Sequence, residues 1–439
     1  MIPFISLEGT FVGSKVLVVG AGYVGLTSGI CLASLGNEVV CVDNNIEKIA
    51  LLQAGVLPIF EPGLLSLLEK GINQNLLSFS TDLTRHAKNA DFIILCLPTP
   101  PLEDGSADMS FVYSVVDEIS SHLCDSAIIV NKSTVPLNTT SEIKSRQLNK
   151  TVAVVSNPEF LREGSAVNDF LNPSRIVIGA DEKSSAIKVA ALYAGLEDRV
   201  YFTDPISAEC IKYMSNGFLA MKVSFINQAA RFCEAIGADV VSVSLGMSLD
   251  PRIGSSFLNP GPGWGGSCFP KDTAALVAAA LSKNSPMTLV EQAANDNKLH
   301  QYEIARFITK EIKALRGTKV SIGVLGLSFK MNTDDTRDSP ALKIIELLQM
   351  SDVDCEIRAY DPEASIGINA TFHRVGSIPE AVTGSDLVII LTEWPEFATF
   401  PPESYASLMR GHTIIDTRYV LDNSLFNEYG LKVCSMGRR

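Results

Sequence analysis

The chain is poor in positive charge: its 439 residues carry 36 Lys and Arg against 49 Asp and Glu, a net charge of −13. A protein that grips nucleic acid over a broad face needs that face to be basic, so this class of function is excluded. An anionic ligand has to be held by local devices such as helix N-termini, glycine-rich turns and single Arg or Lys side chains. Long apolar runs are missing too. None approaches the roughly 18–20 residues of a membrane span, and no membrane partner is expected. The opening MIPFISLEGTFVG has neither the basic start nor the apolar stretch of a secretory signal, and it is expected to be a lead-in without a function. The nine cysteines are odd in number and include no CxxC pair. Most lie in apolar runs such as VVCVDNN and FIILCLP, which suits reduced, buried thiols in a cytoplasmic protein. No metal site is expected.

Apolar material is plentiful, 46% of the chain against 19% charged, enough for two or three domains. Residues 15–19 form a short β-branched run. Gly20-Ala-Gly22-Tyr23-Val24-Gly25 follows, then a helical stretch to Leu35 closed by Gly36, then a strand over 38–42 with Asp43 at its end. Strand, GxGxxG, helix, strand, acid is the order of a dinucleotide-binding βαβ unit. The glycines supply a tight turn, close approach to a pyrophosphate and close helix–strand packing. Asp43 would accept from an adenosine ribose and repel a 2′-phosphate, favouring NAD over NADP. Lys48 lies nearby, as a solvated helix residue or a ribose neighbour.

Further apolar strands over 92–97, 127–130 and 152–155 end in Pro98-Thr99-Pro100-Pro101, Lys132-Ser133-Thr134 and Asn157-Pro158-Glu159. Apolar throughout rather than alternating, they suit a parallel sheet covered on both faces, with function at the C-terminal strand ends. A mostly helical stretch covers about 205–300. A second α/β half begins with a strand over 320–325 and Gly326-Leu-Ser-Phe-Lys330, and SDLVIILTEWP (385–395) echoes ADFIILCLPTP (90–100). The two ends therefore look like a weak internal repeat. The second half lacks GxGxxG and is expected to bind something other than a dinucleotide.

Three other places carry residue types suited to chemistry. The loop Pro260-Gly-Pro-Gly263-Trp-Gly265-Gly-Ser-Cys268-Phe-Pro-Lys271-Asp272 combines a shape-dictating glycine run with a cysteine, either a thiolate nucleophile or a buried thiol in an ordinary turn. Such a loop could wrap a ligand with its main-chain N–H groups. Glu159 and Glu163 are four apart after a strand; a helix starting at Pro158 would put them on one face, as base and cofactor contact or as solvated acids. Lys212 and Asn216, four apart on a helix among apolar neighbours, are either snorkelling to solvent or held functionally.

Taken together, Gly20–Gly25, Pro98-Thr99-Pro100, Lys132–Pro136, Asn157–Gly164, Lys212 with Asn216, Gly265–Asp272, Gly326–Lys330, Asp335-Thr-Arg337 and Thr392-Glu-Trp394 resemble the nucleotide-sugar 6-dehydrogenases of the UDP-glucose/GDP-mannose dehydrogenase family, most closely its UDP-glucose branch. The matches fall in the family's order over nearly the whole chain; Asp416-Thr-Arg418 departs from the family's usual pattern. The resemblance implies an α/β protein of two doubly wound Rossmann-like domains joined by a long central helix. The domains expected are an NAD-binding domain at 14–203, a central helical domain at 204–300 with the cysteine loop and a homodimer contact, and a UDP-sugar-binding domain at 315–433. It implies NAD-dependent four-electron oxidation of a UDP-sugar to its uronate, with Cys268 carrying a thiohemiacetal and then a thioester. By the same resemblance, Lys212 and Asn216 stabilise oxyanions, Asp272 holds a water, and Glu159 activates water with help from Thr134. Gly20, Gly22, Tyr23, Val24, Gly25, Asp43, Lys48, Pro98, Thr99, Pro100, Ser133, Thr134, Glu163 and Arg337 would bind cofactor. Glu159, Phe160, Leu161, Arg162, Lys212, Asn216, Asn259, Gly263, Gly265, Phe329 and Lys330 would bind substrate, and Arg252 would reach the substrate of a neighbouring subunit. The alternatives are a sibling enzyme for GDP-mannose or an N-acetylated UDP-sugar, and a catalytically silent dinucleotide binder, which would be expected to have lost one of Cys268, Lys212, Asn216, Asp272 or Glu159.

Overall fold

The computed structural model of the chain describes residues 13–148, 151–315, 319–364 and 371–438. The lead-in at 1–12 lies outside the described residues, as do 316–318 and 365–370 of the expected C-terminal domain. The chain divides into two compact units, residues 1–215 with 274–284, and residues 216–273 with 285–439. A 32-residue helix, Pro205–Ile236, runs through the division. No helix among the described residues is long and apolar enough to cross a membrane.

The first unit is built on an eight-stranded sheet of β1 (Lys15–Val19), β2 (Glu38–Val42), β3 (Leu77–Ser80), β4 (Phe92–Leu95), β5 (Ile128–Asn131), β6 (Ala153–Ser156), β7 (Ile176–Gly179) and β8 (Val200–Thr203), in the order β3-β2-β1-β4-β5-β6-β7-β8. Both faces are covered. Val16 and Val18 join one apolar cluster with Leu26 and Ile30 of the first helix, Tyr23–Ser34, while Leu17 and Val19 join another with Val112 and Val116. That is why the strands read as apolar without alternation. The expectation of a parallel sheet needs one correction: β7 meets β6 antiparallel, Ser156 opposite Gly179. The helix between them, Ala166–Leu171, has six residues.

Strand order reverses at β1, which has β2 on one side and β4 on the other. Gly20 sits there with φ +99°, and a Cβ on it would lie 2.3 Å from the Cys96 carbonyl oxygen. A Cβ on Gly25 would lie 1.7 Å from the Gly20 carbonyl oxygen, so helix and strand pack backbone to backbone. A Cβ on Gly22 would meet nothing within 4 Å. The protein itself does not demand glycine there.

The second unit contains β9 (Val320–Leu325), β10 (Cys355–Tyr360), β11 (His373–Arg374), β12 (Leu387–Ile390), β13 (Thr413–Asp416) and β14 (Lys432–Cys434), all parallel, in the order β11-β10-β9-β12-β13-β14. This is the permutation of β3-β2-β1-β4-β5-β6, so the repeat suspected from sequence is a repeat of topology. It extends to detail. Gly326 after β9 has φ +97°, and its Cβ would strike Thr392 after β12. Asp361 ends β10 as Asp43 follows β2, but Asp361 is spent on its own unit. Its Oδ2 accepts from Leu327 N, Ser328 N and Trp394 Nε1, and its Oδ1 from Glu363 N and Ala364 N.

The glycine contacts make a paired prediction. Gly25→Ala forces two backbone segments apart, an overpacking cost of about 3 kcal/mol, and should lower Tm by roughly 6–12 °C. Gly22→Ala, at φ −82° and facing open space, should leave Tm unchanged or slightly raised. Thermal melts of the two variants check this; equal destabilisation would refute the distinction.

Candidate active site

Helix Tyr23–Ser34 begins at Gly22 with no side-chain cap and no acid in its first turn. Its N-terminal N–H groups and dipole are therefore offered to an anion. Asp43, at the end of β2, accepts from Ala21 N (2.9 Å), Asn45 N (2.9 Å) and Lys48 Nζ (3.1 Å). Burial pushes the Asp43 carboxyl up, but the Asn45 and Ala21 N–H groups and the Lys48 ammonium outweigh it and hold it below the usual range. Three bonds leave an ionised carboxylate about one free acceptor position for a ribose hydroxyl. Open space over Gly22, an uncapped helix and an ionised Asp43 together fit a dinucleotide. Lys48, expected to be solvated or a ribose neighbour, is the counter-ion of that acid.

The remaining candidates on this sheet edge divide. Pro98 and Pro100 are exposed and Val24 is half-buried. Thr99 is buried, donating to the Thr134 carbonyl (2.8 Å). The Ser133 hydroxyl accepts from Leu97 N (2.8 Å) and donates to the Leu97 carbonyl (2.9 Å), so it fixes the end of β4. Tyr23 donates to Glu61, a buried residue that sequence reasoning missed. Burial first, and then Glu61, push the Tyr23 phenol up. Glu61 also accepts from Gly164 N (2.7 Å) and Ala166 N (2.7 Å), capping the helix Ala166–Leu171 from a distant loop. The only sequence signal was an acid in Glu61-Pro62-Gly63, indistinguishable there from a surface turn.

The segment after β6 is not helical, which corrects the helix expected from Pro158; helix resumes only at Ala166. Glu159 and Glu163 are both buried, without sharing a helix face. Glu159 Oε1 lies 2.6 Å from Lys212 Nζ, and its Oε2 accepts from Leu161 N at 2.6 Å. Lys212 is 3% exposed, so it does not snorkel. Burial pushes the Glu159 carboxyl up, but the Lys212 ammonium and the Leu161 N–H reverse that and hold it below its ordinary value. Two cations approach the Phe160 ring, Arg175 3.8 Å and Lys212 5.6 Å from its centroid. Arg162 is exposed and paired with Asp169 (2.6 Å).

In the second unit, Cys268 directly precedes helix Phe269–Ser282 and is half-buried. Its carbonyl accepts from Asp272 N (2.8 Å), and Ser267 Oγ lies 3.6 Å from its sulfur. A helix N-terminus favours negative charge on a group placed there. Asp272, 1% exposed, accepts from Asn216 Nδ2 and Lys271 Nζ, each at 2.6 Å. Asn216 thus meets Asp272, while Lys212, one turn earlier on the same helix, meets Glu159.

The glycine-rich loop does not offer its main chain as freely as its composition suggested. Gly261 N and Trp264 N donate to Asn227 and Asn297 side chains, and Gly266 N donates to the Arg337 carbonyl. The glycines serve close packing. A Cβ on Gly265 would lie 2.0 Å from the Asp338 carbonyl oxygen, one on Gly266 2.8 Å from the Phe329 ring, and one on Gly263 2.8 Å from Asn297 Oδ1. Asn259 is exposed. Lys330 lies 5.6 Å from the Phe329 centroid. Arg337 is exposed and paired with Asp335, and Arg252, 88% exposed in its side chain, is paired with Asp250. Arg418 holds the Phe329 carbonyl (2.9 Å) and the Leu391 carbonyl (2.8 Å), tying the turns after β9 and β12 together.

Among relatives of known name, the UDP-glucose 6-dehydrogenase of Rhizobium meliloti (strain 1021) is 41% identical, covering 97% of this chain and 99% of the relative. UDP-glucose 6-dehydrogenase TuaD of Bacillus subtilis (strain 168) is 40% identical, covering 97% and 93%. Among solved structures, a UDP-glucose dehydrogenase from Pyrobaculum islandicum superposes with a TM-score of 0.87 at 32% identity, covering 99% of this chain and 100% of the other. A UDP-D-ManNAc dehydrogenase from Pyrococcus horikoshii gives 0.84 at 27% identity, covering 96% and 99%. Residues 14–197, 206–299 and 323–423 match, in order, the NAD binding domain, the central domain and the UDP binding domain of one family, and with all three matched along the chain the protein belongs to the UDP-glucose/GDP-mannose dehydrogenase family.

Proposed function

We propose that this chain oxidises the hydroxymethyl group of UDP-glucose to the carboxylate of UDP-glucuronate, through a Cys268-linked thiohemiacetal and thioester. The observation that carries the reading is Cys268 at the head of a helix whose buried Asp272 is bonded to Asn216. A two-electron alcohol dehydrogenase has no use for such a thiol. NAD⁺ bound at the glycine turn supplies the hydride acceptor, once for each of two oxidations. The Cys268 thiol adds to the aldehyde left by the first, forming a C–S bond and keeping the aldehyde from escape. The resulting thiohemiacetal loses hydride in the second to give a thioester. Water cleaves the C–S bond, returning the thiol. In sum, one alcohol, two NAD⁺ and one water give one carboxylate, two NADH and three protons.

The roles of the other residues are those the family resemblance implies. Lys212 is the buried cation suited to a developing oxyanion. Glu159, held ionised by that same lysine, becomes an available base when Lys212 turns to the oxyanion; it then takes a proton from the attacking water, which Thr134 helps to place. Asp272, bonded to Asn216 and Lys271, anchors the proton network beside the thiol. Phe160, Leu161, Arg162, Asn259, Gly263, Gly265, Phe329 and Lys330 serve the sugar nucleotide, and Glu163 and Arg337 the cofactor.

The protein acts in this reading as a cytoplasmic homodimer. Phe218, Phe225 and Phe232 recur every seven residues on helix Pro205–Ile236 and are 61%, 53% and 64% exposed. Seven residues are about two helical turns, so these rings form one apolar stripe, the mark of a covered interface. Arg252, projecting from the same unit, would then serve a neighbouring protomer's substrate. Phe225→Glu should shift the sedimentation of the protein from dimer to monomer; an unchanged coefficient would remove the helix from the interface.

Two kinetic outcomes test the chemistry. Assayed across UDP-glucose, UDP-galactose, UDP-N-acetylglucosamine and GDP-mannose, the enzyme should prefer UDP-glucose and release two NADH per uronate. A ratio of one with free aldehyde accumulating would defeat the covalent route. Cys268→Ser should bind UDP-glucose almost normally yet lose turnover by roughly 100-fold or more. It should also accumulate an ester adduct visible by intact mass, because serine is a weaker nucleophile and its ester hydrolyses more slowly. Cys268→Ala should show no adduct, and full turnover in that variant would leave only an NAD-dependent dehydrogenase of another reaction.

A further inference from the structure

The main chain of the glycine-rich loop is held at both its donors and its acceptors. Gly261 N donates to Asn227 Oδ1 (2.9 Å), and the Gly261 carbonyl is 2.8 Å from His300 Nε2. Trp264 N donates to Asn297 Oδ1 and the Trp264 carbonyl accepts from Asn297 Nδ2, both at 2.9 Å. Behind His300, Arg231 Nη1 lies 2.8 Å from Nδ1, and Arg231 Nη2 pairs with Asp296 Oδ1 at 2.5 Å. Asp296 Oδ1 also accepts from Gln228 (3.3 Å). Asp296, Asn297 and His300 are all buried on helix Thr288–Ala314.

A guanidinium donates and never accepts. Arg231 therefore makes Nδ1 the bare nitrogen of His300 and leaves the proton on Nε2, where it is donated to the Gly261 carbonyl. Burial, and then the Arg231 charge, pull the His300 imidazole down to about 4, against the pull of the Gly261 carbonyl. The ring stays a neutral single-tautomer donor at any physiological pH. A buried ion pair is weak as a source of stability, since apolar residues of the same volume serve as well. Fixing a tautomer is something apolar residues cannot do.

We propose that Asn297 and His300, oriented by Arg231 and Asp296, are positioning residues for catalysis: they hold Gly261–Trp264 by its peptide groups so that the chain running on to Cys268 presents the thiol in one geometry. Each of the glycines at 261, 263, 265 and 266 loses more backbone freedom on ordering than any other residue would, so contacts from outside the loop help to impose its shape. The proposal rests on Cys268 being the nucleophile.

The test compares His300→Leu, His300→Gln and Asn297→Asp with the wild type. Leucine removes the donor; glutamine restores an N–H near the Nε2 position; aspartate keeps the acceptor for Trp264 N but sets a second acceptor against the Trp264 carbonyl. Measured are kcat and KM with UDP-glucose and NAD⁺, the dissociation constant of NADH by fluorescence, Tm, and the rate at which iodoacetamide alkylates the Cys268 peptide. His300→Leu and Asn297→Asp should lose kcat by roughly ten- to a hundred-fold, as small misplacements of reacting groups do. Alkylation at Cys268 should change in both. NADH affinity should change far less than kcat, since the glycine turn and Asp43 belong to the other unit, and His300→Gln should recover most of kcat. Should His300→Leu fail to fold, Asn297→Asp carries the comparison. Wild-type kcat and alkylation in the folded variants would overturn the proposal, as would a loss of activity that follows Tm and is not recovered by glutamine. Full activity in Cys268→Ala would instead defeat the nucleophile reading beneath it, so the two failures are distinguishable.

Discussion

Helix Pro205–Ile236 buries a series of polar side chains among its apolar ones, and much of the site depends on the constraint this sets. Buried polar groups have to be paired. Along this helix Glu209 accepts from Thr140 N and Oγ1, Lys212 meets Glu159, Asn216 meets Asp272, Ser224 accepts from Trp264 Nε1, Asn227 accepts from Gly261 N, and Arg231 meets Asp296. The spacings of three, four and eight residues keep these side chains on one stripe, while Phe218, Phe225 and Phe232 stay exposed. One turn of slippage would unpair all of them together. The helix is therefore a ruler whose marks are polar, and the candidate catalytic residues are two of those marks.

The first unit was largely legible in the sequence because its information is local. A strand, three glycines and an acid within 30 residues declare their geometry by type and spacing; in the structure backbone contacts demand Gly20 and Gly25, while Gly22 faces open space. The doubling of the topology was legible for a related reason, since apolar runs ending in turns at matching offsets can be aligned by eye. The sequence could not say that Asp361 spends its lone pairs on its own backbone while Asp43 keeps room for another partner. That difference lies in which N–H groups the fold brings up, not in the acid.

What was not legible is long-range polar pairing. Lys212 among apolar neighbours reads either as snorkelling or as held functionally until Glu159, 53 residues away, is seen against it. Glu61 reads as a turn acid, and Asn297 and His300 carry no signal in the sequence that sets them apart. In each case the side chain is polar because one distant group needs it, and periodicity carries no trace of that group. The antiparallel entry of β7 was hidden because an apolar run has no direction.

The first unit is also discontinuous along the chain. It contains residues 274–284 as well as everything up to 215, and helix Phe269–Ser282 begins in one unit and ends in the other. During synthesis at about 5–20 residues per second, the first 215 residues must wait several seconds for the segment that completes their unit. That segment emerges just behind the cysteine-bearing loop. The nascent chain thus holds its glycine turn before it holds Cys268, and the residues that complete the N-terminal unit follow Cys268. The two halves, alike in topology, are interleaved in sequence.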